Sequence, residues 1–133
     1  MEAGACAGKI ITRAAAMKVL FIINDPPYGT ERVYNALRLA LTLLKKDLDT
    51  QVTVFLTADA VLAAKARQKT PDGYYNIERM LKRVLAGKGA VLLCGTCMDA
   101  RGIADGEVTE AAHRSTMDEL AAAMVQADKV LVF

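Results

Sequence analysis

Two cysteines with two small residues between them, Cys94-Gly95-Thr96-Cys97, are the side chains in this sequence best suited to covalent chemistry. They follow a short apolar run, Ala90–Leu93, and lead into Met98-Asp99-Ala100-Arg101-Gly102. If a helical turn begins near Thr96, its free backbone N–H groups face the Cys94 sulfur. The positive end of a helix favours a thiolate and lowers the thiol pKa. Arg101 adds positive charge if the turn folds back. A thiolate so placed can attack a sulfane sulfur, carry a persulfide, or exchange with a disulfide, and Cys97 stands where it could resolve a mixed disulfide. Cysteine is also a small hydrophobe that is often simply buried, and one cysteine at a strand end reads either way. The pair tilts the reading toward chemistry, with Cys94 and Cys97 as reactive groups and Gly95, Thr96 and Arg101 as candidate ligand contacts.

A second segment, Asp25-Pro26-Pro27-Tyr28-Gly29-Thr30-Glu31-Arg32, joins an apolar run to a helical pattern. Its prolines make it stiff, and Gly29 allows close approach to the backbone. It enters a helix N-terminus, where anions can bind. Asp25, Tyr28, Gly29, Arg32 and Asn35 are therefore candidate ligand contacts, and a rigid connector fits the same residues equally well.

Other chemistries fit poorly. Thioredoxin-type exchange wants its motif after the first strand and a proline before a later one, yet the prolines are Pro26, Pro27 and Pro71. A structural zinc site needs four ligands, and Cys94, Cys97 and the lone His113 do not supply them; no metal and no cofactor is expected. Phosphate-loop and dinucleotide fingerprints are missing. One histidine leaves no Ser/His/Asp set, and Glu107 and Glu110 read as solvated.

The elements that must position these residues alternate. Lys18–Ile23, Val52–Leu56, Ala90–Leu93 and Lys129–Phe133 are continuous apolar, β-branched runs, as in strands buried on both faces. Between them the spacing predicts a helix from Glu31 capped by Thr30, a short Ala-rich helix over Asp59–Arg67, and an amphipathic helix over Asn76–Ala86 stopped by Gly87. A last helix opens with a Thr116/Glu119 capping box and ends near Ala127. Gly102–Ser115 reads as a loop or a short fourth strand. This pattern predicts a three-layer α/β/α sandwich around a mostly parallel sheet of four to five strands, Rossmann- or flavodoxin-like. In such sheets ligands bind beyond the carboxyl ends of the strands, where Asn24–Thr30, Thr57–Asp59 and Cys94–Gly102 all fall.

The chain has 133 residues, 53% hydrophobic, with 17 Lys+Arg against 15 Asp+Glu. One domain is expected over 17–133, preceded by an Ala/Gly-rich extension over 1–16 that holds Cys6. So balanced a charge, with 5% aromatics and no Trp, argues against a nucleic-acid partner. No apolar run reaches the ~18 residues of a membrane span. Three cysteines without a secretory pattern lead us to expect a reducing, cytoplasmic setting.

With these segments in view, the chain resembles the DsrE/DsrF-like family, which includes YchN-like proteins and TusBCD-type sulfur-relay subunits. The likeness spans 17–133 and rests on KVLFIINDPPYGTERVYNALRLA, YYNIERMLKRVL, LLCGTCMDARG, STMDEL and DKVLVF. It implies a parallel α/β/α sandwich assembled as a homo-oligomer, a trimer or hexamer. It also implies a persulfide-carrying cysteine after the third strand, followed by a short helix and an Arg-Gly pair. Cys94, eight residues before Gly102, matches that cysteine, whereas Cys97 lies outside the shared pattern. The expected function is a sulfur carrier or sulfurtransferase working between donor and acceptor proteins. The rivals are an oligomeric ligand-binding or scaffolding protein and a thiol redox sensor closing Cys94–Cys97.

Overall fold

A computed structural model describes residues 16–46 and 49–133. The expected extension over 1–16 thus lies outside the described residues apart from Ala16, and so does Cys6. The apolar runs become five strands: β1 (Lys18–Ile23), β2 (Gln51–Leu56), β3 (Ala90–Cys94), β4 (Ala112–Ser115) and β5 (Lys129–Val132). They form one sheet in the order β4-β3-β2-β1-β5, and every neighbouring pair is parallel.

Helices α1 (Arg32–Lys46), α2 (Ile77–Ala86), α3 (Gly95–Ala100) and α4 (Met117–Gln126) connect the strands. The crossovers from β1 to β2 and from β2 to β3 step across the sheet in one direction. Right-handed connection puts both helices on one face, where α1 and α2 pack together. The return from β4 to β5 runs the other way, so α4 covers the opposite face. The two helical layers are unequal. Val33, Ala36, Leu37, Ala40, Ile77, Leu81 and Val84 are all buried on the α1/α2 side, while α4 buries only Leu120.

Phe21, Leu56 and Leu93 in the strands are fully covered, as are Val54 and Phe55. Each such side chain contributes about 1.5–3 kcal/mol on burial, which is why β1, β2 and β3 are legible as uninterrupted hydrophobic runs.

Several local expectations change in the structure. The helix expected over Asp59–Arg67 is a 3-10 helix over Ala58–Ala64. It stops early because the following backbone is bonded elsewhere: Lys65 bridges Val108, Ala66 N–H donates to Glu107, and Ala64 C=O accepts from Thr109. Helix α1 starts at Arg32, since Glu31 sits at φ 66°, outside a right-handed helix. Thr30 Oγ1 still accepts from Arg32 N–H at 3.3 Å. Asn76 is the cap of α2, its Oδ1 accepting from Arg79 N–H at 3.0 Å. Thr116 caps α4 through Glu119 N–H at 3.2 Å, but the Glu119 carboxylate accepts from the Ser115 hydroxyl, so the reciprocal half of the capping box goes to a neighbour. The Gly102–Ser115 stretch resolves into a 3-10 turn at Asp105–Glu107 and the edge strand β4.

Candidate functional site

The site is set by strand register. β2 and β3 pair Leu56 with Leu93, so the next residues along, Thr57 and Cys94, leave adjacent parallel strands side by side. On its other flank Cys94 pairs with Ser115 of β4. All three lie at the carboxyl edge of the sheet, the usual place for a ligand in this architecture.

Cys94 is the residue from which α3 starts, with φ −61° and ψ 113°. Its Sγ is 3.3 Å from Thr96 Oγ1. Burial, the largest single influence, pushes the thiol pKa up. Hydrogen bonds from the Cys97 side chain, the Thr96 hydroxyl, the Cys97 amide and the Thr57 hydroxyl outweigh it and lower the pKa to about 7. With six residues, α3 carries little macrodipole, and the local donors do most of the work.

Cys97 is held independently. Its Sγ accepts from Ala58 N–H at 3.1 Å and lies 3.4 Å from Thr57 Oγ1. Ala58 sits at φ 51°, a left-handed conformation that a non-glycine residue adopts only when its surroundings impose it. Thr57 thus bonds the Cys97 sulfur and also helps to lower the Cys94 pKa, and both thiols are free. Cys94 is 4% exposed, and its outlet is a cavity of about 310 Å³ lined by Cys94, Gly95, Thr96, Arg114, Ser115, Thr116 and Met117.

Arg114 crosses the start of α3 because residue 95 is glycine. A Cβ there would lie 3.0 Å from Arg114 Nε. The guanidinium is anchored by Asp99 at 2.6 Å and Asp105 at 3.5 Å. The Arg114 side chain holds the Asp99 carboxyl below the usual carboxylate range. Arg101 does fold back, as the sequence suggested, but its guanidinium goes to Asp59 Oδ1 at 2.8 Å and to the Cys97 carbonyl at 3.0 Å. It braces the Cys97 turn and is not among the groups that shift Cys94.

The proline segment is built differently. Asp25 pairs with Arg32 at 3.4 Å, Asn35 Oδ1 accepts from Arg38 at 3.1 Å, and Gly29 takes φ 107°. The Tyr28 hydroxyl donates to Gln68 and accepts from Ile77 N–H at 3.0 Å. These bonds tie the loop to the start of α2. Tyr28→Phe is expected to lower stability by ~1–3 kcal/mol, because it leaves the Ile77 amide and the Gln68 carbonyl without their partner. Urea unfolding checks this, and an unchanged midpoint would mean that water replaces the hydroxyl.

His113 stands exposed on the edge strand β4. Among the described residues no group of three or more His, Cys, Asp or Glu could hold a metal ion. Thr57, Arg114 and Ser115 were not singled out as site residues in the sequence. A usable signal existed for Thr57: it follows the β2 run as Cys94 follows the β3 run. Arg114 and Ser115 carry no such mark, because their place depends on β4 pairing with β3.

Comparison with known proteins identifies the family and the fold. The profile of the DsrE/DsrF-like family matches residues 17–133. Protein YchN of Escherichia coli (strain K12) is 40% identical over 116 residues, covering 87% of this chain and 98% of that protein. Uncharacterized protein MJ0989 of Methanocaldococcus jannaschii is 37% identical over 117 residues, covering 88% of this chain and all of that one. The crystal structure of the YchN protein from E. coli superposes with a TM-score of 0.84 at 39% identity, over 88% of this chain and 99% of that one. The structure of MTH1491, a protein of unknown function from Methanobacterium thermoautotrophicum, shares the fold alone, with a TM-score of 0.73 at 11% identity. The chain belongs to the DsrE/DsrF-like family.

Proposed function

We propose that this protein is a sulfur carrier in which Cys94 holds sulfane sulfur as a persulfide. The observation that carries the reading is the Cys94 thiol itself, with a pKa lowered to about 7 by surrounding donors and opening into a cavity at the strand edge. The Cys94 thiolate attacks the outer sulfur of a donor persulfide, R–S–SH. The donor S–S bond breaks, a new S–S bond forms on Cys94, and R–S⁻ leaves. No net oxidation or reduction occurs, so no redox cofactor is required. A protein or low-molecular-weight thiol then takes the sulfur onward in a reducing, cytoplasmic setting. Exposed apolar side chains on α4 and β5, including Met117, Val125 and Val132, support assembly as a homo-oligomer.

The test is intact mass after incubation with a low-molecular-weight persulfide. We expect a gain of one sulfur that survives Cys97→Ser and disappears in Cys94→Ser. No adduct on Cys94 in Cys97→Ser would overturn the reading and leave a ligand-binding or scaffolding role.

A second reading is favoured by the hydrogen bond from the Cys97 side chain to Cys94. Cys97 can attack the inner sulfur of the Cys94 persulfide, releasing hydrogen sulfide and leaving a Cys94–Cys97 disulfide. A redox sensor would reach the same disulfide by passing two electrons to an oxidised thiol partner. Intact mass shows the disulfide as a loss of two hydrogens with no sulfur gained, and repeating the incubation with a plain disulfide in place of the persulfide separates the two routes, because only the sensor oxidises there.

A further inference from the structure

Helices α1 and α2 enclose an open groove of about 520 Å³ away from the cysteines. Its lining includes four cationic side chains, Arg38 and Lys45 from α1 and Arg79 and Arg83 from α2, and no carboxylate. Among the described residues none of the four is ion-paired with an Asp or Glu. Helix α1 contains no acidic residue at all. The acid of α2, Glu78, is paired with Lys82, and both line a different cavity. Solvated helix faces normally mix both signs. Here like charges stand one turn apart at Arg79 and Arg83 and face further cations on the neighbouring helix, an arrangement that an anion relieves.

The groove also has a direction. Both helices connect parallel strands, so they run the same way. Their N-terminal ends bring together Tyr34, Tyr75 and Tyr74, stacked with centroids 4.3 Å and 4.6 Å apart. Tyr28 joins the cluster, 5.6 Å from Tyr75 and 6.3 Å from Tyr74, and Tyr74 is 49% exposed. Arg38 lies over Tyr34 at 5.4 Å. From Arg79 to Arg83 is about 6 Å along α2 at 1.5 Å per residue. An aromatic platform thus stands at one end and cations line the rest, in a volume typical of small-molecule sites.

We propose that this groove binds a nucleoside phosphate, its base stacked on Tyr74 and its phosphates held by Arg38, Arg79 and Arg83. The site needs no glycine-rich phosphate loop, because side chains supply the charge. An acidic peptide would use the cations but not the ring column, and a bare anion would use neither the column nor the length. The proposal is independent of sulfur chemistry at Cys94.

The test is calorimetric titration of the full chain with ADP, with adenosine, pyrophosphate and a glutamate-rich peptide as comparators. ADP is expected to bind at least about tenfold more tightly than adenosine or pyrophosphate, since only ADP uses both ends of the groove. Tyr74→Ala is expected to weaken ADP about tenfold and leave pyrophosphate unchanged. Arg79→Gln with Arg83→Gln is expected to weaken both by about tenfold or more. Both variants lie on the exposed surface, and an unchanged urea-unfolding midpoint reports that they are folded. Cys94→Ser is expected to bind ADP as the wild type does. No ADP binding at millimolar concentration would overturn the proposal. So would ADP binding no tighter than pyrophosphate, binding of the peptide but not ADP, or ADP affinity unmoved by the arginine variants.

Discussion

Alkylation of Cys94 is expected to titrate with a midpoint near pH 7, and Thr57→Val combined with Thr96→Ala to move that midpoint to about 9. The wild-type value follows from the pKa of about 7. Each hydroxyl that bonds a thiolate is a hydrogen bond to a charged group, worth ~1.5–3 kcal/mol. At about 1.4 kcal/mol per pKa unit, losing one raises the midpoint by roughly one unit or more. Burial remains after both are removed, and it pushes the pKa the same way.

The midpoint is the quantity to read, and the absolute rate is not. Lowering a thiol from ~8.5 to ~7 multiplies its ionised fraction at neutral pH by more than tenfold. The less basic thiolate is intrinsically less nucleophilic, with a Brønsted slope of ~0.4–0.5, and this offsets much of the gain. Low exposure slows the reagent further. Peptide mapping after iodoacetamide treatment resolves Cys94 from Cys6 and Cys97. A wild-type midpoint at or above ~8.5 would show that burial wins over the donors.

The sign for stability follows. A thiol whose folded pKa is depressed stabilises the fold fully above its unfolded pKa, and that contribution is lost as pH falls through about 7. The stability advantage of the wild type over Cys94→Ala should therefore shrink on acidification from pH ~9 to pH ~6.

Phe55→Ala is expected to destabilise the protein by ~3–5 kcal/mol, a large share of the ~5–15 kcal/mol available to a domain. Phe55 is fully buried in β2, flanked in register by Ile22 of β1 and Leu92 of β3. It precedes Leu56 and Thr57, so the cavity left behind lies beside the element that delivers a hydroxyl to both cysteines. Denaturant unfolding with unchanged slope measures the effect. Lys69→Ala, at an exposed loop position, is the control and should fall within ~0.5 kcal/mol of the wild type. A loss under ~1 kcal/mol for Phe55→Ala would mean that neighbouring side chains refill the space.

The central strands and the cysteine pair were legible in the sequence, and for one reason. Strands buried on both faces need uninterrupted apolar residues, and the segment after such a run must lie at the sheet edge. Ala112–Ser115 could be read only as a loop or a short fourth strand, because an edge strand of four residues, two of them exposed and charged or polar, has no hydrophobic signature. It exists because β3 offers it a pairing partner. The helix over Asp59–Arg67 was legible but not its 3-10 type or its end at Ala64, because alanine spacing does not distinguish helix types and the bonds that end it come from residues 107–109. The prolines and glycine of the 24–30 segment were visible, but what Tyr28 bonds is set by two segments remote in the chain, at Gln68 and Ile77. Arg114 reaches the cysteine cluster through the pairing of β4 with β3 and the bare Cα of Gly95, neither of which is written locally, whereas Thr57 follows its own apolar run.

The register of β3 has a bearing on which members of a protein lineage can keep this chemistry. Along a pleated strand, odd and even positions face opposite ways: Val91 and Leu93 go to one side, Leu92 and Cys94 to the other. Deleting or inserting a single residue between Ala90 and Leu93 would reverse that parity and swing the sulfur beneath α1 and α2, with the sheet itself scarcely altered. Descendants should therefore tolerate almost any hydrophobic spelling of this strand while conserving its length, and changes in length should coincide with loss of the cysteine.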